Sequence, residues 1–474
     1  MRYSVVGLGK LGASMAAAIA SRGFEVVGVD VVQSSVDKVN ASLAPVQETN
    51  LQDLIAANRE RLRATTNHED AILNSDITFV IVPTPSDERG AFTLQYAQWA
   101  FKEIGKALAN KQGYHLVVLT STVLPGSTRF GLLPILEQES GKRCGRDFGL
   151  CYSPEFIALG SVIRDFLNPD FTLIGEFDER SGSVLEQAYA AILTNSPACK
   201  RMTLENAELA KISVNTYVTM KISFANMLAD LCERIPGGDV DVVTDAIGAD
   251  SRIGRKYLTG ALGYGGPCFP RDNVALSFLA RELGTTADLA ETTDSRNRAL
   301  SEAVLKRIQP HIAQGSTVAV LGLAYKPMSV VVEESQGIFI AQAISRAGAR
   351  VVAYDPLAAD SARSVLPEVV ILDSLADCLA QADVVLVTTP DPVFLALTAE
   401  DILGGKDKVT VIDFWRILDE ALSGQPTINY VPIGRGDGDP ALGAILAALW
   451  TRQDVLVAEP NRSSAVAIDA GQVR

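Results

Sequence analysis

No CxxC or other paired-cysteine spacing occurs in this 474-residue chain; its six cysteines stand alone at 144, 151, 199, 232, 268 and 378. That leaves no disulfide or zinc framework and predicts reduced thiols in a cytoplasmic protein. Histidine is scarcer still. His68, His115 and His311 lie far apart, so neither a histidine base nor a Ser/His/Asp triad is expected, and no metal is expected. Basic charge is also short, with 42 Lys and Arg against 56 Asp and Glu and a formal net charge of −14. No basic stripe is available to neutralise phosphates, which excludes a nucleic-acid binder. No uncharged apolar run reaches the roughly 18 residues of a membrane span, so no membrane partner is expected. The opening "MRYSVVGLG" already reads as a strand, which leaves no secretory signal in the sequence given.

What is present is apolar and periodic. Hydrophobic residues make up 47% of the chain, too much for one core at this length, and two or three domains are expected. "RYSVVGLG", "EVVGVD", "ITFVIVPTP", "HLVVLTSTV", "FGLCYSPE" and "FTLIGE" are short β-rich runs separated by helical patterns. They predict a buried, parallel, doubly wound sheet over residues 1–198. From Thr203 to Arg234 the chain carries neither Gly nor Pro, then stops at "IPGG". This predicts one long helix opening an all-helical segment, 199–312. "STVAVLGLAYKP", "ARVVAYDP", "DVVLVTTP" and "KVTVIDFW" restore the α/β alternation over 313–452, and residues 453–474 lack a core pattern and read as a disordered tail. The fold class is therefore α/β: two Rossmann-like doubly wound domains joined by a central all-helical segment with one long helix.

Three stretches carry chemistry. "VVGLGKLG" sets Gly7, Gly9 and Gly12 between a strand and a helix, with Asp30 closing the next strand. Glycines let the backbone approach a pyrophosphate, and a carboxylate at Asp30 suits the ribose hydroxyls and repels a 2′-phosphate, so NAD is the expected cofactor. "ELAKISVNTYVTMK" puts Lys211 and Asn215 four apart on one helix face, near Glu208. On spacing alone that face is either ordinary solvated surface or an amine and amide set to handle protons and hold a substrate oxygen. "GYGGPCFPRD" surrounds Cys268 with Gly263, Gly265, Gly266, Pro267 and Pro270. The loop fits either an inert structural thiol or a nucleophile approached by converging backbone amides, with Asp272 placed to take a proton or orient a water.

Taken in order, "GLGKLG", "VPTPSD", "STVLPGST", "SPEF", "ELAKISVNTYVTMKISFAN", "DSRIG", "GYGGPCFPRD" and "GLAYKP" make the chain resemble the UDP-glucose/GDP-mannose dehydrogenases over residues 1 to about 450. The resemblance implies a homodimer formed through the long helix and a four-electron oxidation, a sugar C6 alcohol becoming a carboxylate while two NAD are reduced. It assigns Cys268 the nucleophile's role, through a thiohemiacetal and then a thioester. Lys211 would stabilise the oxyanion or assist proton transfer, Asn215 and Asp272 would hold water and oxygen positions, and Glu155 would serve thioester hydrolysis. Thr122 would contact cofactor and the catalytic water. On the cofactor side it adds Leu8, Lys10, Leu11, Pro83, Thr84, Pro85 and Arg271. On the substrate side it adds Phe156, Tyr257, Gly265, Tyr325 and Lys326, with Arg252 reaching the neighbouring subunit's substrate.

Two places depart from the family pattern. "SPEFIALG" has Leu159 where a second glutamate is usual, and "KPMSVVVEES" has Val330 and Val331 for two acids and Glu333 for an arginine. The nucleotide sugar is thus the expected partner, UDP-glucose leading, with UDP-N-acetylhexosamines and GDP-mannose open. A two-electron hydroxyacid dehydrogenase would share the Rossmann domain and the Lys/Asn pair but lacks the cysteine loop and the third α/β segment. An inactive nucleotide-sugar binder would not be expected to keep every nucleophile and proton-handling position.

Overall fold

The computed structural model describes residues 1–157, 160–436 and 439–451. Leu159 and the 453–474 tail lie outside the described residues. Eight strands form the first sheet: β1 Tyr3–Val6, β2 Val26–Val29, β3 Leu62–Thr65, β4 Ile77–Val80, β5 Leu116–Leu119, β6 Gly149–Tyr152, β7 Phe171–Glu176 and β8 Ala198–Thr203. Their order is β3-β2-β1-β4-β5-β6-β7-β8, parallel throughout except for the β6/β7 pair. The order reverses between β1 and β4, which opens a crevice at their carboxyl ends where ligands of such sheets sit. Central strands β1, β2, β4, β5 and β6 are buried at every position, as helices on both faces require.

A second sheet repeats the plan with β9 Thr317–Leu321, β10 Arg350–Tyr354, β11 Val370–Ile371, β12 Val384–Val387, β13 Val409–Asp413 and β14 Ile428–Pro432. Its order is β11-β10-β9-β12-β13-β14, all parallel, the first six-strand pattern again. Both α/β units were expected. The sequence reading missed β3, β8, β11 and β14, the outermost strands of the two sheets. The first sheet also runs past residue 198, because β8 reaches Thr203 and pairs along its whole length with β7.

Between the sheets, the long helix spans Leu204–Cys232, 29 residues, with the Thr203 side chain capping its start. Helices Val240–Gly248, Phe269–Glu282 and Asp288–Ile308 pack beside it. Leu204 and Ala207 enter the core of the first unit, so the helix is seated on the sheet before it leaves for the centre of the molecule. The last unit is clamped to the helices by Arg416. Its buried guanidinium makes two bonds to Asp241, at 2.6 and 2.8 Å, and others to the carbonyls of Thr259, Gly260, Phe414 and Ile433. A buried cation satisfied this completely fixes orientation as well as proximity.

Candidate active site

The β1 turn has the form a dinucleotide needs. Gly7 stands at φ +97°, and a Cβ there would lie 2.0 Å from the Ile81 carbonyl oxygen; one on Gly12 would lie 1.8 Å from the Gly7 oxygen. A Cβ on Gly9 would meet nothing within 4 Å, so the open side of the turn is where a phosphate fits. The following helix, Lys10–Ser21, has no side-chain cap and no acid in its first turn. Its free N–H groups and positive dipole end therefore suit an anion. Asp30 accepts the amides of Leu8 at 2.7 Å and Val32 at 2.9 Å, which sets its carboxylate at the edge of the turn. The residues present fit NAD.

Two loops close the other side of the crevice. The hydroxyl of Thr84 in "PTP" donates to the Thr122 carbonyl at 2.7 Å. Ser121 both accepts the Val82 amide, at 2.9 Å, and donates to the Val82 carbonyl, at 2.7 Å. Pro83, Thr84 and Pro85 are thus tied to Thr122. Arg271 comes from the central helices, bonds the Thr84 carbonyl at 3.2 Å and lies over the Phe92 ring at 4.5 Å.

The thiol lies where all three parts of the chain meet. Cys268 is the N-cap of helix Phe269–Glu282 and is exposed to the cleft. Lys211, Asp272 and Arg271 all act electrostatically on it, as does Glu333 from the last unit. Asp272, on the first turn of the same helix, is held by Asn215, whose side-chain amide donates to Asp272 Oδ2 at 2.6 Å. Asp272 Oδ1 is buried without a hydrogen-bond partner and lies 3.8 Å from Arg271 Nε. Lys211 is buried, donates from Nζ to the Glu155 carbonyl oxygen at 2.6 Å and lies 4.5 Å over the Phe156 ring. The Lys211/Asn215 face is therefore not solvated surface; it is the wall behind the thiol.

Desolvation dominates the electrostatics of this cluster. Enclosing protein pushes the Cys268 thiol up, reinforced by Asp272 and Glu333 and opposed by Arg271 and Lys211. Burial lowers Lys211, with Asp272, Cys268 and Glu155 pulling back. Burial raises Asp272 and takes Glu155 to about 7, Lys211 alone opposing the latter. A thiol pushed up and an amine pulled down approach each other in proton affinity, which narrows the ordinary preference for the proton to sit on the amine. The positive charges of Arg271 and Lys211 and the helix N-terminus at Cys268 work against that burial and favour the thiolate.

The glycines of the loop act differently from the expectation. The Gly266 amide donates to the Glu333 carbonyl at 3.0 Å and the Tyr264 amide to Asn297 Oδ1 at 3.0 Å, so neither is aimed at the thiol. Glycine is needed because the last unit presses on this backbone. A Cβ on Gly265 would lie 2.2 Å from the Glu334 oxygen, and one on Gly266 would lie 2.6 Å from the Tyr325 ring. Lys326, next along, feels the acids Asp165 and Glu48 of the first unit, which places it between the two α/β units.

Some assignments stand apart. The Glu155 side chain lines a recess with Phe166, Phe171, Tyr189 and Leu193; the residue bonds Lys211 through its carbonyl, and its carboxyl reaches the cluster only electrostatically, through Lys211. Arg252 is 86% exposed and paired with Asp250 at 2.5 Å, and Tyr257 is half exposed at φ +68° with its ring 6.4 Å from Phe269. Arg252 makes its ion pair away from the thiol cluster, whereas Tyr257 lies near Phe269 and within electrostatic reach of Tyr325, which also feels Cys268. Sequence reasoning did not single out Ser121 or Asn297. Asn297 holds the cysteine loop from both sides, also donating to the Tyr264 carbonyl at 2.9 Å. A lone polar residue, whether in a helix like Asn297 or in a loop like Ser121, carries no spacing signal that would have found it.

Models of the UDP-glucose/GDP-mannose dehydrogenase family match three consecutive parts of the chain: the NAD binding domain at residues 1–193, the central domain at 205–299 and the UDP binding domain at 319–420. A UDP-glucose 6-dehydrogenase from Haloferax volcanii is 38% identical over 404 residues, 84% of this chain and 94% of its own length. A GDP-mannose 6-dehydrogenase from Azotobacter vinelandii is 32% identical over 429 residues, 87% and 97% respectively. The solved structure of a UDP-glucose dehydrogenase from Pyrobaculum islandicum superposes with a TM-score of 0.82 at 32% identity, covering 92% of this chain and 98% of that one.

Proposed function

The chain belongs to the UDP-glucose/GDP-mannose dehydrogenase family and is an NAD-dependent nucleotide-sugar 6-dehydrogenase, and from that premise we propose that it converts UDP-glucose to UDP-glucuronate through a thioester on Cys268. The observation that carries this reading is the junction itself. A thiol at a helix N-terminus faces a buried amine and a hydrogen-bonded Asn215–Asp272 pair, between the unit that fits NAD and the unit whose Tyr325 packs on the cysteine loop.

In this reading the Gly7–Gly12 turn and Asp30 would hold NAD, and two NAD molecules bound in succession would supply the hydride acceptor for the two oxidations at C6. Lys211 takes the alcohol proton in the first oxidation and holds the carbonyl oxygen in both. Its ammonium uses one donor on Glu155, leaving two to face an oxyanion. Cys268 adds through sulfur to the aldehyde carbon while its proton passes to the carbonyl oxygen, giving a thiohemiacetal. Loss of the remaining C6 hydride and the hydroxyl proton leaves the thioester. Water, held at the free oxygen of Asp272 and activated by a carboxylate, then releases the uronate and restores the thiol. Glu155 fits the activating role, because a carboxyl raised to about 7 is half ionised at neutral pH. Thr122, tied to Thr84, shapes the cofactor side, and Tyr325 and Lys326 serve the nucleotide diphosphate.

A second substrate reading is favoured by one observation. Glu333 places a negative charge within electrostatic reach of Cys268, where a sugar would lie. That charge disfavours an anionic neighbour and favours a hydrogen-bond donor, as an N-acetylated or differently configured hexose would supply. Assaying NAD reduction across UDP-, GDP-, dTDP- and CDP-sugars separates the readings. UDP-glucose giving the highest kcat/KM supports the first; another sugar exceeding it tenfold replaces it.

The same reading makes the enzyme a homodimer. Leu209, Val214, Tyr217, Phe224, Met227 and Leu231 leave large apolar surface exposed along the long helix, more than a solvated helix would carry. Arg252 would then extend from one subunit toward the other's substrate. All six cysteines are free, which suits a reducing compartment, and the proposed location is the cytoplasm.

A further inference from the structure

Glu208 stands three residues before Lys211 and seven before Asn215, on the same face of the long helix, and it is fully buried. Its oxygens accept two separate backbone amides from the loop after β5: Gly126 to Oε2 at 2.6 Å and Thr128 to Oε1 at 2.8 Å. That loop is the one that carries Ser121 and Thr122. Beyond Thr122 it turns at Gly126, at φ +90°, and enters the helical run Ser127–Leu132, which continues as Leu133–Ser140. The run has no side-chain cap of its own. A carboxylate reaching in from another element therefore satisfies two of its orphan N–H groups and meets the positive end of its dipole.

The chain could have capped this turn locally, with a Ser, Asp or Asn side chain. Instead the cap comes from a residue 80 positions later, on the helix that holds the proton-handling amine. The consequence is mechanical. Thr84 is bonded to Thr122, the Thr122 loop is bonded to Glu208, and Glu208 shares a rigid helix with Lys211 and Asn215. Both carboxylate oxygens face backbone amides, and the side chain is buried beneath the loop, so Glu208 touches no reacting atom.

We propose that Glu208 is a positioning residue: it fixes the Thr122 loop to the helix bearing Lys211 and Asn215, so that the cofactor wall and the thiol wall of the cleft keep one spacing. This rests on the reading of the cleft as a dehydrogenase site. Misplacement of a reacting pair by about 1 Å can cost about a hundredfold in rate without changing what binds. The tether thus belongs to turnover and not to affinity.

The test compares wild type with Glu208→Gln and Glu208→Asp. Gln keeps the volume but sets an amide donor against one loop amide. Asp keeps both acceptors but withdraws them by one methylene. Hydrogen–deuterium exchange of the ligand-free proteins should be at least tenfold faster in peptides covering 120–130 of Glu208→Gln, and unchanged in peptides of the Phe269–Glu282 helix. With the nucleotide sugar that gives the best wild-type turnover, kcat should fall tenfold or more while KM stays within twofold, Glu208→Asp lying between. Unchanged exchange at 120–130, or faster exchange with kcat within twofold of wild type, overturns the proposal. If wild type reduces no NAD with any nucleotide sugar, the dehydrogenase reading fails instead, and the exchange result alone decides whether the tether exists.

Discussion

Replacing Glu155 with Gln separates charge from shape at a carboxyl whose surroundings are mostly apolar. Burial against Phe166, Phe171, Tyr189 and Leu193 raises this group from its ordinary 4.5 to about 7, with Lys211 as the opposing influence. At 1.36 kcal/mol per pH unit, a displacement of that size corresponds to about 3 kcal/mol. The sign follows from linkage. A raised carboxyl favours its protonated form in the folded state, so its contribution is complete below about 4.5 and is lost as pH rises to about 7. Glutamine carries no such dependence. Glu155→Gln should therefore match wild type in thermal stability near pH 4 and exceed it above pH 7, by up to about 3 kcal/mol. Turnover should move the opposite way. Wild-type kcat should climb with pH and level off above about 7 as the carboxylate forms, while the Gln variant stays low and flat across that range. Differential scanning fluorimetry and NADH formation at matched pH values read both effects. Identical stability profiles, or a Gln variant whose kcat still climbs through pH 7, would refute the placement of this carboxyl and its role together.

Other perturbations test separate parts of the site. Lys211→Ala removes a buried cation bonded to the Glu155 carbonyl, and kcat should fall by roughly 10² or more, as for loss of an oxyanion donor; a change confined to KM would make it a binding residue. Asp30→Ala removes the acceptor at the turn edge and its repulsion of a 2′-phosphate, so the NAD-over-NADP preference should fall about tenfold or more in kcat/KM. An unchanged ratio would mean that this carboxylate does not read the ribose. Tyr217→Glu with Phe224→Glu puts two charges on the exposed face of the long helix and should convert a dimer to monomers in light scattering; a wild type already monomeric removes that interface.

Legibility in the sequence followed burial. Central strands, covered on both faces, are continuous apolar runs such as "VVGV" and "LVVL", and they were readable directly. The four strands missed are the four sheet edges. "LRAT" and "ACKRMT" alternate or mix polar residues because one side meets solvent, so they carry no apolar run to detect. The long helix was readable from the absence of Gly and Pro, although its buried face holds Glu208, Lys211 and Asn226, which no apolar stripe marks. The site residues were legible as motifs but not as a geometry. By its residues alone "GYGGPCFPRD" fits either an inert or a presented thiol; in the structure the helix begins at the thiol itself, and the glycines make room for Tyr325 and Glu334 from a unit some sixty residues later. Such contacts between distant segments leave no local periodicity, which is also why Asn297 and Ser121 passed unnoticed.

Counting NADH against uronate in one experiment tests the central claim most directly. With the best nucleotide sugar limiting, wild type should form two NADH per sugar consumed and release the carboxylate. Cys268→Ser should give at most slow, partial oxidation, because an alkoxide is harder to form than a thiolate. One NADH per sugar in the wild type, or wild-type turnover to the uronate by Cys268→Ser, would contradict the covalent four-electron account.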